Sequence, residues 1–362
     1  MLRAGLIGLS STGKTTLFQL LTSNQDERAR MAGRQDTNIA VAQVPDPRLD
    51  RLTVLFNPQK RTPATVNFVD MAARRVIGTE GLVDVAPYRE ADALLHVVRS
   101  FNDESVPHTA ESIDPSRDVR TMEDELILAD LAVAERRLQK IKKDRKRDTS
   151  INQEAEFELL ATCISVLENG TPLRTLDLDA TATKHLRGFQ FLSAKPLLLV
   201  LNVDESTAAI STIDAVHAAR LDDAVAGRAI RAVTVCAKIE LEIAELDTNH
   251  AAAFLADLGL KETGLDRIIR ATYDLLGYLS FFTTGNDECR AWSIPSETTA
   301  QVAAGEIHSD ISRGFIRAEI ISYDHLIARG SLAECRKHAE VRLEGKDYVV
   351  QDGDVINFRF AT

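Results

Sequence analysis

The segment from Gly8 to Thr15 combines two glycines, a lysine and a threonine at a spacing that suits phosphate binding. It matches the pattern G-x-x-x-x-G-K-[ST]. The glycines of such a loop let backbone N–H groups face phosphate oxygens, while Lys14 reaches the β- and γ-phosphates and Thr15 binds Mg²⁺. The pattern predicts a catalytic role for Lys14 and a nucleotide-binding loop made of Gly8, Ser10, Ser11, Thr12, Gly13, Lys14, Thr15 and Thr16.

A phosphate-binding loop of this kind also needs an acidic residue near the metal, at the end of a neighbouring strand. Asp70 follows the apolar run 66–69 and is the predicted partner of Thr15 as a Mg²⁺ ligand. The alternative interpretation of Asp70 is an ordinary turn residue at the end of a strand.

Two later segments follow apolar runs at places where a base-binding loop is expected. The first is 202–205, after the run 195–201, and the second is 236–238, after the run 232–235. The second would offer backbone donors to the edge of a base. The predicted base-binding residues are Asn202, Val203, Glu205, Cys236, Ala237 and Lys238.

The elements that must position these residues alternate between strands and helices. Apolar runs at 2–8, 64–69, 93–98, 195–201 and 232–235 are typical of buried strands, and 14–22 is typical of a helix. Continuous apolar strands of this kind indicate a parallel sheet covered on both faces. The predicted fold class is therefore α/β.

A helical hairpin is predicted as an insertion in this sheet domain. Apolar residues recur at steps of three and four in 128–141 and again in 157–167, on either side of a polar break. The tip is basic, since 136–147 holds eight lysines and arginines and one acid, Asp144. Two interpretations stay open: a solvated helix end, or a contact with a phosphate backbone.

The last part of the chain changes to short β-like runs. Thr263 and Gly264 are expected to cap a helix that ends at Leu275, and the β-like runs follow at 290–294, 315–321, 341–343 and 348–355. The last two runs are separated by 344–346, and 352–354 predicts another tight turn. Together these runs predict a compact β-rich module. The predicted domains are a first part of the sheet domain (1–117), the hairpin (118–188), a second part of the sheet domain (189–278) and the C-terminal module (279–362).

Composition limits the partners and the compartment. The 362 residues allow two or three modules, and 43 Lys+Arg against 54 Asp+Glu disfavour nucleic acid as a partner of the whole surface. We therefore expect no DNA partner, and any RNA contact must be local. Four widely spaced cysteines, with no export signal and no membrane-length apolar run, predict a cytoplasmic protein without a membrane partner.

Over essentially its whole length the chain resembles the YchF/Obg-like ATPases, within the translation-factor class of P-loop GTPases. Besides the phosphate loop, the resemblance rests on VPDPRL at 44–49, FVD at 68–70, DALLHVVR at 92–99, NVDE at 202–205 and RLEGKDYVVQDGDV at 342–355. It implies a G domain, a coiled-coil insertion and a C-terminal TGS domain of the β-grasp type. It also implies the ribosome, or RNA and protein associated with it, as the partner.

The resemblance also indicates the nucleotide and the hydrolytic residue. Guanine-specific proteins carry N-K-x-D where this chain has Val203 and Glu205, so the packing cation is absent and the carboxylate is displaced by one methylene. In the family this variant goes with a preference for ATP over GTP. The family is thought to position water with a histidine in the loop after the next strand, which falls on His108 here.

The chain departs from the family pattern in the regions that switch. The D-x-x-G glycine is replaced by Ala73, which precedes Arg74, and the switch threonine falls on Arg34, three residues from Thr37. The predicted activity is that of a Mg²⁺-dependent nucleoside triphosphatase. Three alternatives stay open: a member that binds nucleotide without turnover, a GTP-specific translation GTPase, and a non-catalytic RNA-binding adaptor.

Overall fold

The computed structural model describes residues 2–23, 38–70, 85–107, 112–144, 151–227 and 229–361. The chain forms two compact units, Met1–Val41 with Asn67–Leu275 and Ala42–Val66 with Leu276–Thr362. The described strands are β1 Arg3–Ile7, β2 Asn38–Gln43, β3 Lys60–Thr62, β4 Thr65–Asp70, β5 Ala93–Ser100, β6 Leu197–Val203, β7 Ile230–Val235, β8 Tyr278–Thr284, β9 Glu288–Pro295, β10 Phe315–Ser322, β11 Arg342–Glu344 and β12 Asp354–Phe360.

The helices have lengths from one turn to eight turns. They are α1 Lys14–Ser23, α2 Pro47–Phe56, α3 Pro115–Asp144, α4 Ile151–Glu168, α5 Ala180–Arg187, α6 Thr212–Ala218, α7 Asp222–Val225, α8 Ala237–Ala244, α9 Thr248–Asp257, α10 Gly264–Leu275, α11 Ala300–Ile307, α12 Ser309–Arg313, α13 Tyr323–Arg329 and α14 Leu332–Lys337, with 3₁₀ turns at Ala86–Glu90, Leu173–Thr175 and Glu205–Thr207. Among the described residues, no helix is long and apolar enough to span a membrane.

The first unit is built on a six-stranded sheet in the order β2-β4-β1-β5-β6-β7. Strand β1 runs parallel to β4 and β5, and β6 runs parallel to β5 and β7. Every residue of β6 is buried, as expected for a central strand that is covered on both faces. The predicted α/β fold class is confirmed.

The predicted hairpin consists of α3 and α4, which pack through a shared apolar core. Its root is tied to the sheet domain by Asp130, whose buried carboxylate accepts hydrogen bonds from the backbone N–H groups of Leu192 and Ser193 and from the Arg89 guanidinium. Residues 145–147 of the basic tip lie outside the described residues. The predicted helix cap at Thr263 and Gly264 is present, because Thr263 Oγ1 accepts from the N–H of Asp266 at 3.0 Å.

The second unit carries a mixed sheet in the order β11-β10-β12-β8-β9-β3. Its core joins aromatic and aliphatic side chains of this sheet to three alanines of α11. The predicted β-rich module is confirmed, and the tight turn predicted at 352–354 is present inside the β-like run 348–355. Strand β12 starts only at Asp354, because the Asp354 carboxylate accepts from the N–H of Gln351 and closes a turn in which Gly353 has φ +87°.

The second unit also contains a segment from the first third of the chain. Strand β3 pairs with β9 in parallel, and Arg48 at the start of α2 forms an ion pair with Asp352. No pattern in the sequence predicted that Ala42–Val66 belongs to this unit. The domain boundaries drawn from the sequence stay predictions.

Candidate nucleotide-binding site

The predicted phosphate loop lies between the end of β1 and the start of α1. Gly8 and Gly13 have φ values of +145° and +96°, which L side chains rarely adopt. A Cβ atom at Gly8 would lie 2.5 Å from the carbonyl oxygen of Val97, and one at Gly13 would lie 2.5 Å from Asn202 Nδ2. Both positions therefore require glycine on steric as well as conformational grounds.

The ammonium group of Lys14 lies within this loop. Its Nζ donates to the carbonyl oxygens of Gly8 at 2.6 Å and of Leu9 at 2.5 Å. Burial lowers the pKa of Lys14, and the charge of Asp70 acts against that shift. Burial likewise raises the pKa of Asp70, and the charge of Lys14 acts against it. The predicted phosphate-binding cation and the predicted metal ligand thus influence each other electrostatically.

A cleft of about 950 Å³ opens at the ends of β1, β5, β6 and β7. The loops after parallel strands meet at one edge of a sheet, which is the usual place for a ligand in this fold class. The cleft contains every predicted nucleotide-binding residue except Gly8. Its lining consists of Ser10, Ser11, Thr12, Gly13, Lys14, Thr15, Thr16, Phe101, Asn102, Asp103, Glu104, Val106, Asn202, Val203, Asp204, Glu205, Cys236, Ala237, Lys238 and Leu241.

Asn202 joins three of these loops. Its side chain is buried, and its Nδ2 donates to the carbonyl oxygen of Thr12 at 3.0 Å. Its Oδ1 accepts from the backbone N–H of Ala237 at 3.0 Å. One amide therefore connects the phosphate loop, the end of β6 and the start of α8.

The other residues of the predicted base-binding loops differ in their exposure. Glu205 and Lys238 form an exposed ion pair with an Oε2–Nζ distance of 2.8 Å, and this hydrogen bond raises the pKa of Lys238. Val203 is buried in the core of the sheet domain. The last residue of β6 is therefore a buried aliphatic residue, and the loop after it carries a paired carboxylate, at the two positions where guanine-specific proteins carry lysine and aspartate.

The sequence indicated only His108 in the loop after β5, but Phe101 to Glu104 and Val106 of this loop line the cleft. The loop is held by Arg99, which is 2 % exposed, and by the carboxylate of Asp204. An arginine inside an otherwise apolar strand was the available signal, since a charged residue is rarely fully buried without a specific reason. His108, Arg34, Thr37, Ala73 and Arg74 lie outside the described residues.

Two of the predicted site residues offer oxygen atoms to a metal. Thr15 is exposed at the start of α1, and Asp70 is half-buried at the end of β4. Within the described ranges, no group of three or more histidine, cysteine and acidic residues could hold a metal ion by itself. A hydroxyl and a single carboxylate suit Mg²⁺, which keeps several waters and takes further ligands from substrate phosphates.

Comparison with known proteins agrees with this arrangement. Residues 278–361 match the protein-family model described as YchF-GTPase_C, a protein of unknown function (DUF933). The chain is 40% identical over 364 residues to the ribosome-binding ATPase YchF of Bacillus subtilis, 41% over 366 residues to that of Pasteurella multocida and 38% over 363 residues to that of Escherichia coli O157:H7. Each alignment covers 99% of both chains.

A solved structure also matches almost the whole chain. The YchF GTPase of Schizosaccharomyces pombe aligns with a TM-score of 0.87 at 25% sequence identity, covering 99% of this chain and 97% of that one. The similarity therefore extends over both units.

Proposed function

Because the chain belongs to the YchF family of ribosome-binding ATPases, we propose that it is a Mg²⁺-dependent nucleoside triphosphatase that prefers ATP to GTP and acts at the ribosome. The observation that carries this proposal is the meeting of the phosphate loop with two base-binding loops in one cleft, joined by Asn202. A protein of this kind works in the cytoplasm, where ribosomes are found.

The phosphate end of the cleft is supported by the geometry of the loop. Lys14 donates to two loop carbonyls, and triphosphate oxygens would replace these neutral acceptors with charged ones. Thr15 and Asp70 are the residues of this chain that would hold Mg²⁺. A Mg²⁺ ion held there would supply positive charge against the negative charge of the phosphates during phosphoryl transfer.

Water activation is assigned to His108, by resemblance to the family. An imidazole can accept a hydrogen bond from water near neutral pH and hold that water in line with the γ-phosphate. In the sequence, His108 directly follows Pro107, the last residue that the structure describes in this part of the chain.

The base end of the cleft supports adenine over guanine. Glu205 already shares its carboxylate with Lys238, and Val203 is buried and carries no cation for the base to pack against. A site that does not offer paired hydrogen bonds to the guanine edge loses its discrimination in favour of guanine. The proposed base-binding surface is completed by Asn202, Cys236, Ala237 and Lys238.

Steady-state hydrolysis of ATP and GTP by the purified protein, with and without EDTA, tests the enzyme. We expect ATP to be the better substrate, EDTA to abolish turnover, and Lys14→Ala to weaken ATP binding by at least about tenfold through loss of charged hydrogen bonds. His108→Ala should keep ATP affinity and lose turnover. Lys60→Ala and His217→Ala change exposed residues outside the cleft and serve as matched controls.

Four results would count against this proposal or against parts of it. Absence of ATP binding by the wild type overturns it as a whole. Binding without turnover favours the member that binds nucleotide only, to which Ala73, Arg34 and Arg74 point. Tighter binding of GTP than of ATP favours the GTP-specific alternative, and unchanged turnover in His108→Ala removes the role of that residue.

The ribosome contact is assigned to the basic tip of the hairpin and to the C-terminal TGS-type module. Binding to purified ribosomes should weaken as salt rises, since phosphate contacts release counterions. Replacing Lys140, Lys142 and Lys143 by glutamine should weaken binding and flatten its salt dependence. The control replaces Lys184 and Arg187, two basic residues of α5, by glutamine. Equal losses of ribosome binding in the two variants would contradict a specific role of the tip.

A further inference from the structure

Arg99 is the penultimate residue of β5 and is buried, and its side chain organises the loop that follows. The loop, residues 101–107, is named the β5 loop here. The guanidinium group donates to four of its backbone carbonyl oxygens: those of Phe101 at 3.3 Å, Asp103 at 3.0 Å, Val106 at 3.0 Å and Pro107 at 3.4 Å. It also lies 4.5 Å from the centre of the Phe101 ring. The β5 loop is thus wrapped around a single side chain.

The form of this contact indicates a specific role for an arginine. Each of the four acceptors is an uncharged backbone oxygen, and Arg99 is 2 % exposed. Burying an ionised group is costly unless its N–H groups find acceptors, and all three guanidinium nitrogens do so here. A lysine ammonium is a compact point charge with three donors and does not reproduce this planar fork.

A second residue holds the β5 loop from the other side. The carboxylate of Asp204 accepts from the backbone N–H of Asn102, with oxygen distances of 3.1 and 3.3 Å. Within the loop, Asp103 accepts from both the N–H and the hydroxyl of Ser105. The loop is therefore fixed at its start by Asp204, along its length by Arg99 and internally by Asp103.

The order of the strands shows which part of a nucleotide this loop would flank. The phosphate loop follows β1, the base-binding loops follow β6 and β7, and β5 lies between β1 and β6. Phe101 to Glu104 and Val106 line the cleft between those two ends. A nucleotide whose phosphates lie at the β1 end of the cleft and whose base lies at the β6 and β7 end would therefore have its sugar beside the β5 loop.

We propose that Arg99 and Asp204 are positioning residues that hold the β5 loop as the sugar-side wall of the cleft, and so set affinity for nucleotides without selecting the base. This inference rests on the proposed function, because it concerns the same cleft. It assigns no chemical step to either residue.

The test compares nucleotide dissociation constants and KM values of wild-type protein, Arg99→Gln, Arg99→Lys and Asp204→Asn. Arg174→Gln is the control for loss of a buried arginine, since the Arg174 side chain is 2% exposed and bonded to Glu123 and the carbonyl of Lys195, away from the cleft. Asp179→Asn is the control for a carboxylate that accepts a backbone N–H, that of Ala182.

We expect ATP, ADP and GTP to bind to Arg99→Gln about ten- to a hundredfold more weakly than to the wild type, because charged hydrogen bonds are lost. The affinity should fall by the same factor for each nucleotide. Asp204→Asn should give a smaller loss in the same direction, with KM rising in parallel. Hydrogen exchange of the amides of Asn102 and Val106 should accelerate in both variants and stay unchanged in both controls.

Several outcomes would overturn the proposal. These are unchanged affinity in a folded Arg99→Gln protein, equal losses in Arg174→Gln, or losses that differ between ATP and GTP. Wild-type nucleotide affinity in Arg99→Lys would show that the planar guanidinium group is not required. If the Arg99 variants do not fold, Asp204→Asn decides, because Asp204 is only half-buried. Failure of the wild type to bind any nucleotide would instead overturn the proposed function.

Discussion

The side-chain amide nitrogen of Asn202 lies 3.0 Å from the backbone carbonyl oxygen of Thr12, although 190 residues separate them in the chain. The other end of the same amide accepts from the N–H of Ala237. Because Thr12 offers an acceptor and Ala237 a donor, only one orientation of the amide satisfies both. Asn202 therefore links the phosphate loop to the start of α8, where the second predicted base-binding loop lies.

Asn202→Ala should weaken nucleotide binding and lower the free energy of unfolding by about 1 to 3 kcal/mol, since it leaves two buried backbone groups without partners. Urea unfolding and nucleotide titration measure the two effects. Asn169→Ala removes an amide that donates to the carbonyl of Ser165 on the protein surface, and it is the matched control. Equal effects of the two substitutions would contradict the bridging role.

Glu205→Asp should shift the preference of the cleft towards GTP. The shorter carboxylate restores the residue type of a guanine-specific loop and moves away from Lys238, so the acceptor for the guanine edge becomes free. We expect the ratio of GTP to ATP affinity to rise several-fold, a modest change because the ion pair that the substitution breaks is exposed to solvent.

Competition titrations with both nucleotides measure this ratio. Glu242→Asp, a change of the same type on the outer face of α8, is the control. A ratio that stays constant in Glu205→Asp would show that the glutamate does not influence base selection.

The features that the sequence predicted depend on local patterns. The phosphate loop needs eight consecutive residues, and the loops after β6 and β7 are brought to it by the general rule that parallel strands end at one edge of a sheet. The hairpin was predicted because its apolar residues recur at helical spacing over two long helices. None of these predictions depends on contacts between distant parts of the chain.

The features that the sequence did not predict depend on such distant contacts. Strand β3 has three residues, Lys60, Arg61 and Thr62, which show no apolar alternation, and it becomes a strand only by pairing with β9. For Arg99 the sequence shows a charged residue in a mostly apolar strand but not what it contacts, because its acceptors are backbone oxygens that carry no sequence signature. In both cases the tertiary fold decides what the local sequence leaves open.

His96 should make the sheet domain sensitive to acid. It is 1% exposed in β5, its Nε2 has no hydrogen-bond partner among the described residues, and burial, aided by the charge of Lys14, lowers its pKa to about 3. The unfolded chain binds this proton near pH 6.5, so the stability contributed by the neutral imidazole is complete above that pH. It is lost progressively as pH falls from about 6.5 towards 3.

His96→Leu removes this pH-dependent contribution to the free energy of unfolding, because a leucine side chain does not bind a proton. Between pH 7 and pH 4.5 we expect the wild type to lose about 2 to 3 kcal/mol more than this variant, at about 1.4 kcal/mol per pH unit for one proton. Urea unfolding followed by circular dichroism at both pH values measures the difference. His217→Leu, at an exposed histidine, is the control, and parallel pH dependence of wild type and His96→Leu would contradict the assignment.

Arg48 should stabilise the second unit through its contact with Asp352. Its guanidinium donates to both Asp46, which caps α2, and Asp352, at 2.8 and 2.6 Å, and these hydrogen bonds raise its pKa against the effect of burial. Asp352 also accepts from the N–H of Ser280, so the pair links α2 to β8. Charged hydrogen bonds with this geometry are stronger than exposed ion pairs.

Arg48→Met should therefore lower the free energy of unfolding of the second unit by about 1 to 3 kcal/mol. The single tryptophan of the chain, Trp292, lies in β9, so its fluorescence during urea unfolding reports on this unit. The matched control is Arg313→Met, which breaks an exposed pair with Asp310 and should change stability by less than about 1 kcal/mol. In a double-mutant cycle with Asp352→Asn we expect a coupling energy of at least about 0.5 kcal/mol, because the two residues share hydrogen bonds. If the effects of the two substitutions are additive instead, the two residues act independently.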